Sequence, residues 1–116
     1  MPDLLAVLPI VRAVDVGDGR SVHLISLEVW SEFVVFHWAV APAAGARQDE
    51  WGRWQVRDDV GTIYEPRSGG GHSDGEMKDF SLRWLGSPPP GTTRLVVSCR
   101  DSAGGMFVEE AVPLPQ

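Results

Sequence analysis

Asp58, Asp59, Asp74 and Glu76 are the residues of this chain whose type and placement could do chemistry first. Carboxylates gathered at one end of a fold can supply the roughly six to eight oxygens that a calcium ion takes. Asp58 and Asp59 precede the glycine-rich stretch Ser68-Gly69-Gly70-Gly71-His72-Ser73-Asp74-Gly75, Asp74 lies within it and Glu76 directly follows it. Their spacing is not that of an EF-hand, and an Asp at a turn commonly bonds its own backbone two residues on, so turn-shaping is the expected role. His72, Ser73 and Asp74 have the side chains of a Ser-His-Asp triad, but adjacent residues in a flexible loop cannot orient one another as that chemistry requires. His23 and His37 could lie on neighbouring strands, yet no H-x-H or H-E-x-x-H spacing adds further ligands. Cys99 is the only cysteine, so no internal disulfide can form, and its place on an inward strand face reads as a small core hydrophobe. No catalytic residue, metal or cofactor is expected.

The tryptophans point instead to recognition. Trp38, Trp54 and Trp84 alternate with polar residues in a way that marks them as interior. Trp30 closes a strand beside Phe33, and Trp51 ends the polar loop Asp49-Glu50-Trp51-Gly52-Arg53. An exposed Trp can anchor a partner protein or stack on a sugar. Trp30 and Trp51, with His72 and Asp74 of the glycine-rich loop, are therefore the candidate binding residues. The glycines lack the Lys-Ser/Thr pair of a phosphate loop, and Pro88-Pro89-Pro90 reads as a stiffened connection.

The elements that must hold these residues are strands. Turn signals recur at short intervals between runs of Val, Leu, Ile, Phe and Trp, the pattern of an all-β sandwich or barrel. Strands are expected over 4–14 (an edge, interrupted by Pro9), 21–30, 33–40 (central), 53–57, 62–64, 76–85, 93–100 and 106–112. Ile25, Leu27 and Val29 share one face in this reading. Residues 53–57 and 62–64 form a hairpin about Asp58-Asp59-Val60-Gly61, and 66–75 is the most flexible segment. The expectation is an all-β, immunoglobulin-like antiparallel β-sandwich of about seven or eight strands in a single domain spanning 1–116, with a small β-barrel as the alternative.

Three motifs carry a resemblance: Trp54-x-Val56-x-Asp58-Asp59-x-Gly61-x-x-Tyr64, Phe80-x-Leu82, and Pro90-Gly91-Thr92-Thr93-x-Leu95-x-Val97. From Trp54 to Arg100 the chain resembles uncharacterised bacterial immunoglobulin-like β-sandwich domains. The resemblance implies a fold and no enzymatic activity; many such relatives are secreted or lipid-anchored.

Composition narrows the function classes. At 116 residues, a net charge of −6 argues against binding to nucleic-acid phosphates or to anionic lipid. The apolar N-terminal run lacks a basic n-region and is broken at Pro9, so it reads as a strand rather than a signal peptide, and a cytoplasmic location follows. The functional expectation is a small non-catalytic binding module whose partner is another protein. Carbohydrate or small-ligand binding through exposed Trp residues is the alternative. An unpaired sheet edge, with the 4–14 strand as candidate, could pair two copies into a homodimer.

Overall fold

The computed structural model describes residues 2–17, 19–41, 54–73, 76–100 and 106–115. Among them run eight strands: β1 (Leu4–Gly17), β2 (Arg20–Trp30), β3 (Phe33–Ala41), β4 (Trp54–Asp58), β5 (Glu65–Ser73), β6 (Lys78–Leu85), β7 (Arg94–Arg100) and β8 (Met106–Pro113). They form two antiparallel sheets, β1-β2-β3-β6-β5 and β4-β7-β8. The protein is a β-sandwich. Strands β2 to β8 follow the A-B-E-D and C-F-G order of a constant-type immunoglobulin sandwich, and β1 is laid along the outside of β2.

Alternation builds the core. Val34, Phe36, Trp38 and Val40 of β3 face Trp54 and Val56 of β4 and Leu95, Val97 and Cys99 of β7, all buried. Phe36 and Trp38 stack at 5.2 Å, Trp38 and Phe80 at 5.0 Å, and Trp54 from the opposite sheet meets Phe36 at 4.7 Å and Trp38 at 5.4 Å. Among the described residues the buried indole N–H groups of Trp38 and Trp54 meet no hydrogen-bond partner, and a buried donor left unpaired costs about 1–3 kcal/mol. β7 is buried on both faces, Val96 and Ser98 included. On its outer side the Arg57–Glu109 ion pair (2.6 Å) joins β4 to β8 across it. One lateral seam of the sandwich is closed by Arg12 of β1 reaching Glu110 of β8.

Four expectations give way. Residues 62–64 are not a strand, and the glycine-rich segment expected to be a loop is strand β5, in register with β6 from Glu65↔Leu85 to Ser73↔Lys78. Its ladder to β6 outweighs the poor strand propensity of glycine, as tertiary context commonly does. The expected hairpin is instead a crossover, because β4 and β5 belong to different sheets. Ile25 does not share the face of Leu27 and Val29. A bulge sets Ile10 and Val11 of β1 opposite Ile25 of β2 and shifts the register on both sides of β2, leaving Ile25 exposed.

Candidate functional site

The β4–β5 crossover decides the role of the Asp pair. Asp58 Oδ1 accepts from the Val60 and Thr62 amides, each at 3.0 Å, and Oδ2 from the Tyr64 hydroxyl at 2.8 Å. Asp59 accepts from the Thr93 amide at 3.0 Å and from the Thr93 hydroxyl, tying the crossover to the entry of β7. Partial desolvation pushes the Asp58 carboxyl up, but hydrogen bonds from Thr62, Tyr64 and Val60 outweigh it and hold the group below its usual range. Hydrogen bonds from Thr93 lower Asp59 likewise. Burial first, and then the Asp58 charge, raises the Tyr64 phenol well above its ordinary value. Both carboxylates are spent on the backbone path. Glu76 lies past the far end of β5, a nine-residue strand about 27 Å long, so these carboxylates do not converge. Among the described residues no three His, Cys, Asp or Glu gather to hold a metal.

The outer face of the five-stranded sheet is where polar side chains from several strands collect. Register places Val7, Glu28, Val35, Arg83 and Ser68 in one row across it, Pro9, Ser26, His37, Ser81 and Gly70 in the next, and Ala13, His23, Ala39, Asp79 and His72 in a third. The short β2–β3 turn brings Trp30 onto Phe33 at 5.4 Å, and the Arg83 guanidinium covers the Phe33 ring at 4.2 Å. Glu28 holds this end to the middle of the sheet. Its Oε1 accepts from Trp30 Nε1 at 2.9 Å, and its Oε2 lies 2.7 Å from His37 Nε2. An ionised carboxylate only accepts, so the ring proton of His37 sits on Nε2.

At the β1 margin of the same face the character changes to apolar. Val7 is 56% exposed, Val11 82% and, across the bulge, Ile25 41%. Val11 holds φ at 54°, a conformation that costs a β-branched residue roughly 1–2 kcal/mol.

Of the residues singled out by sequence, Trp30 and His72 both lie on this face, but at opposite corners, roughly 20 Å apart along the strands. Trp30 is half-buried by Phe33 rather than free to stack on both faces. His72 and Ser73 are consecutive on a strand and point to opposite sides, so no triad forms from them; Asp79 is the cross-strand neighbour of His72. Trp51 and Asp74 lie outside the described residues. His23 and His37 do occupy adjacent strands, but His23 bonds Ser21 at 2.9 Å and His37 bonds Glu28. Glu28 and Asp79 were not singled out by sequence, and the 4–14 strand was singled out only as an edge that could pair two copies. Alternation gives a residue its face, whereas only the strand pairing shows which residues become neighbours on it.

No family model and no curated protein matches the chain. A crystal structure of the conserved domain protein from Bacillus anthracis superposes with a TM-score of 0.44 at 14% sequence identity, over 98% of this chain and 48% of that one. The chain thus spans about half the length of that neighbour. No helix among the described residues is long and apolar enough to cross a membrane.

Proposed function

We propose that this domain is a non-catalytic protein-interaction module that receives its partner along β1. The observation that carries the proposal is the exposed pair Val7 and Val11 on β1 with Ile25 beside it. Small folded domains seldom leave contiguous apolar surface in water unless something covers it. The strain at Val11 supports the same surface, because costly backbone conformations concentrate at positions that contact ligands or partners. The partner is another protein, or a second copy joined through this sheet edge. The net charge of −6 favours neither nucleic acid nor anionic lipid.

Catalysis is the weaker reading. Ser81 is the cross-strand neighbour of His37, which in turn meets Glu28. However, no hydrogen bond joins the Ser81 hydroxyl to the imidazole among the described residues. The β3 and β6 amides are engaged in their ladders, and a nucleophile on a flat sheet face has no pair of donors aimed at an oxyanion.

The test compares the wild-type chain with Val7→Asp/Val11→Asp. Both positions are exposed, so the fold should persist with its melting temperature within a few degrees. Light scattering after size exclusion reads self-association, and affinity capture from the native cell reads other partners. Loss of association in the variant is the expected result. Equal association in both proteins, or none in either, would refute a docking role for β1.

A further inference from the structure

We propose that the polar part of the outer sheet face is a separate binding site that takes a neutral polyhydroxylated ligand, a stretch of saccharide. A shallow hollow of about 630 Å³ crosses β2, β3, β6 and β5, bordered by Ser26, Glu28, His37, Gly70, Asp79 and Ser81. His72 and Ile25 stand at its margins.

The chemistry of these residues selects the ligand class. Glu28 and Asp79 are acceptors, Ser26 and Ser81 can donate and accept, His72 can do either, and His37, its Nε2–H given to Glu28, offers Nδ1 as an acceptor. That is a set suited to hydroxyl groups, which also donate and accept. No Lys or Arg borders the hollow among the described residues, so phosphate or carboxylate would find no counter-charge. Both oxygens of Glu28 already accept, from Trp30 and from His37, which ties its charge into the sheet rather than presenting it to a cation. The His37 and Glu28 side chains remain 35% and 28% exposed, within reach of a ligand. Ile25 offers an apolar margin for the C–H face of a sugar ring.

Gly70 gives a second, independent argument. Its φ is not left-handed, and a Cβ built on it would meet nothing within 4 Å. The fold therefore does not require glycine there, although glycine within a strand weakens it. Gly71 differs: its Cβ would fall 3.1 Å from the Asp79 carbonyl oxygen and 3.2 Å from the Phe80 ring. Close approach by a ligand is one of the reasons a strand keeps a glycine, beside a bulge or a bend; the β5 irregularity lies between Pro66 and Ser68, away from Gly70, which sits in the row of Ser26, His37 and Ser81. Its bareness keeps the hollow open.

The test is a ¹H–¹⁵N NMR titration of the full chain with gluco-, xylo-, manno- and N-acetylchito-tetrasaccharides, with spermidine and inorganic phosphate as comparison ligands. The expected result is saturable binding of at least one tetrasaccharide, with shifted amides centred on 25–28, 37–39, 70–72 and 79–81. Gly70→Phe should fill the hollow, keep a folded spectrum and weaken binding about tenfold or more, a loss of about 1.4 kcal/mol. His72→Ala, an exposed change at the margin, should weaken it several-fold and serves if Gly70→Phe does not fold. Val7→Asp/Val11→Asp should bind unchanged, separating this site from the β1 surface. The proposal is overturned by no saturable tetrasaccharide binding, by shifts mapping elsewhere, by saturation with spermidine or phosphate alone, or by undiminished affinity in the blocking variants.

Discussion

Removing the Asp58 carboxylate should show how much of the sandwich hangs on one crossover. Asp58→Ala deletes the acceptor of two backbone amides and of the Tyr64 hydroxyl. The amides lie near solvent and can turn to water, so each contributes about 0.5–1.5 kcal/mol. Tyr64 is buried at 8% exposure, and an orphaned hydroxyl there costs about 1–3 kcal/mol. Together these come to about 3 kcal/mol, a large part of the roughly 5–15 kcal/mol that stabilises a domain of this kind. Tyr64→Phe removes the donor together with its need, and should cost only about 1 kcal/mol. The double variant should then be less destabilised than the sum of the two by about 1–2 kcal/mol. Urea unfolding at pH 7 with an unchanged m-value measures each corner of the cycle. A cost below about 1 kcal/mol for Asp58→Ala, or a coupling within about 0.5 kcal/mol of zero, would show that the crossover is held by other contacts.

The same residues set the pH response. Asp58 and Asp59 are depressed below the ordinary carboxylate value of 3.8, so their stabilisation is complete above that pH and is lost as pH falls through the lowered folded values; Asp58→Asn should flatten part of this acid limb in a pH-stepped denaturation series. Tyr64 is raised above 10.0, so the protein should lose stability as pH climbs past about 10, and Tyr64→Phe should abolish that alkaline limb. Val11→Asn, tolerant of a left-handed backbone, should raise stability by about 0.5–1 kcal/mol in calorimetry, a gain that would be absent if the bulge were unstrained. Gly70→Ala should be neutral or stabilising by up to about 1 kcal/mol, whereas Gly71→Ala should destabilise because Phe80 and the β6 backbone must move. Equal effects at the two positions in thermal melts would contradict the strand register.

The regular strands were legible because their alternation is strict: Leu95-Val97-Cys99 and Trp54-Val56 turn inward as their period requires. The aromatic core was legible for the same reason, and the edge position of β1 was legible from Pro9, which suits an edge strand. What sequence misassigned was governed by tertiary pairing. Gly69-Gly70-Gly71 has no intrinsic reason to be a strand; β6 makes it one. Asp58-Asp59-Val60-Gly61 suits a hairpin turn by composition, and only the burial of Tyr64 between the sheets converts it to a crossover. Ile25 kept its period on paper because a bulge is set by the partner strand. The outer-face neighbours Glu28, His37, Ser81 and Gly70 come from four strands, and no local pattern records their meeting.

The contact between Trp38 and Trp54, with rings 5.4 Å apart and inclined at 48°, has an optical consequence. Two indoles that close and skewed act as coupled oscillators and should add a paired positive and negative far-ultraviolet band to the circular dichroism. Because the rings sit on opposite leaves, that signal gauges the distance between the leaves and not the content of extended backbone. Its disappearance ahead of the β signal would mark a state in which both sheets survive but have come apart.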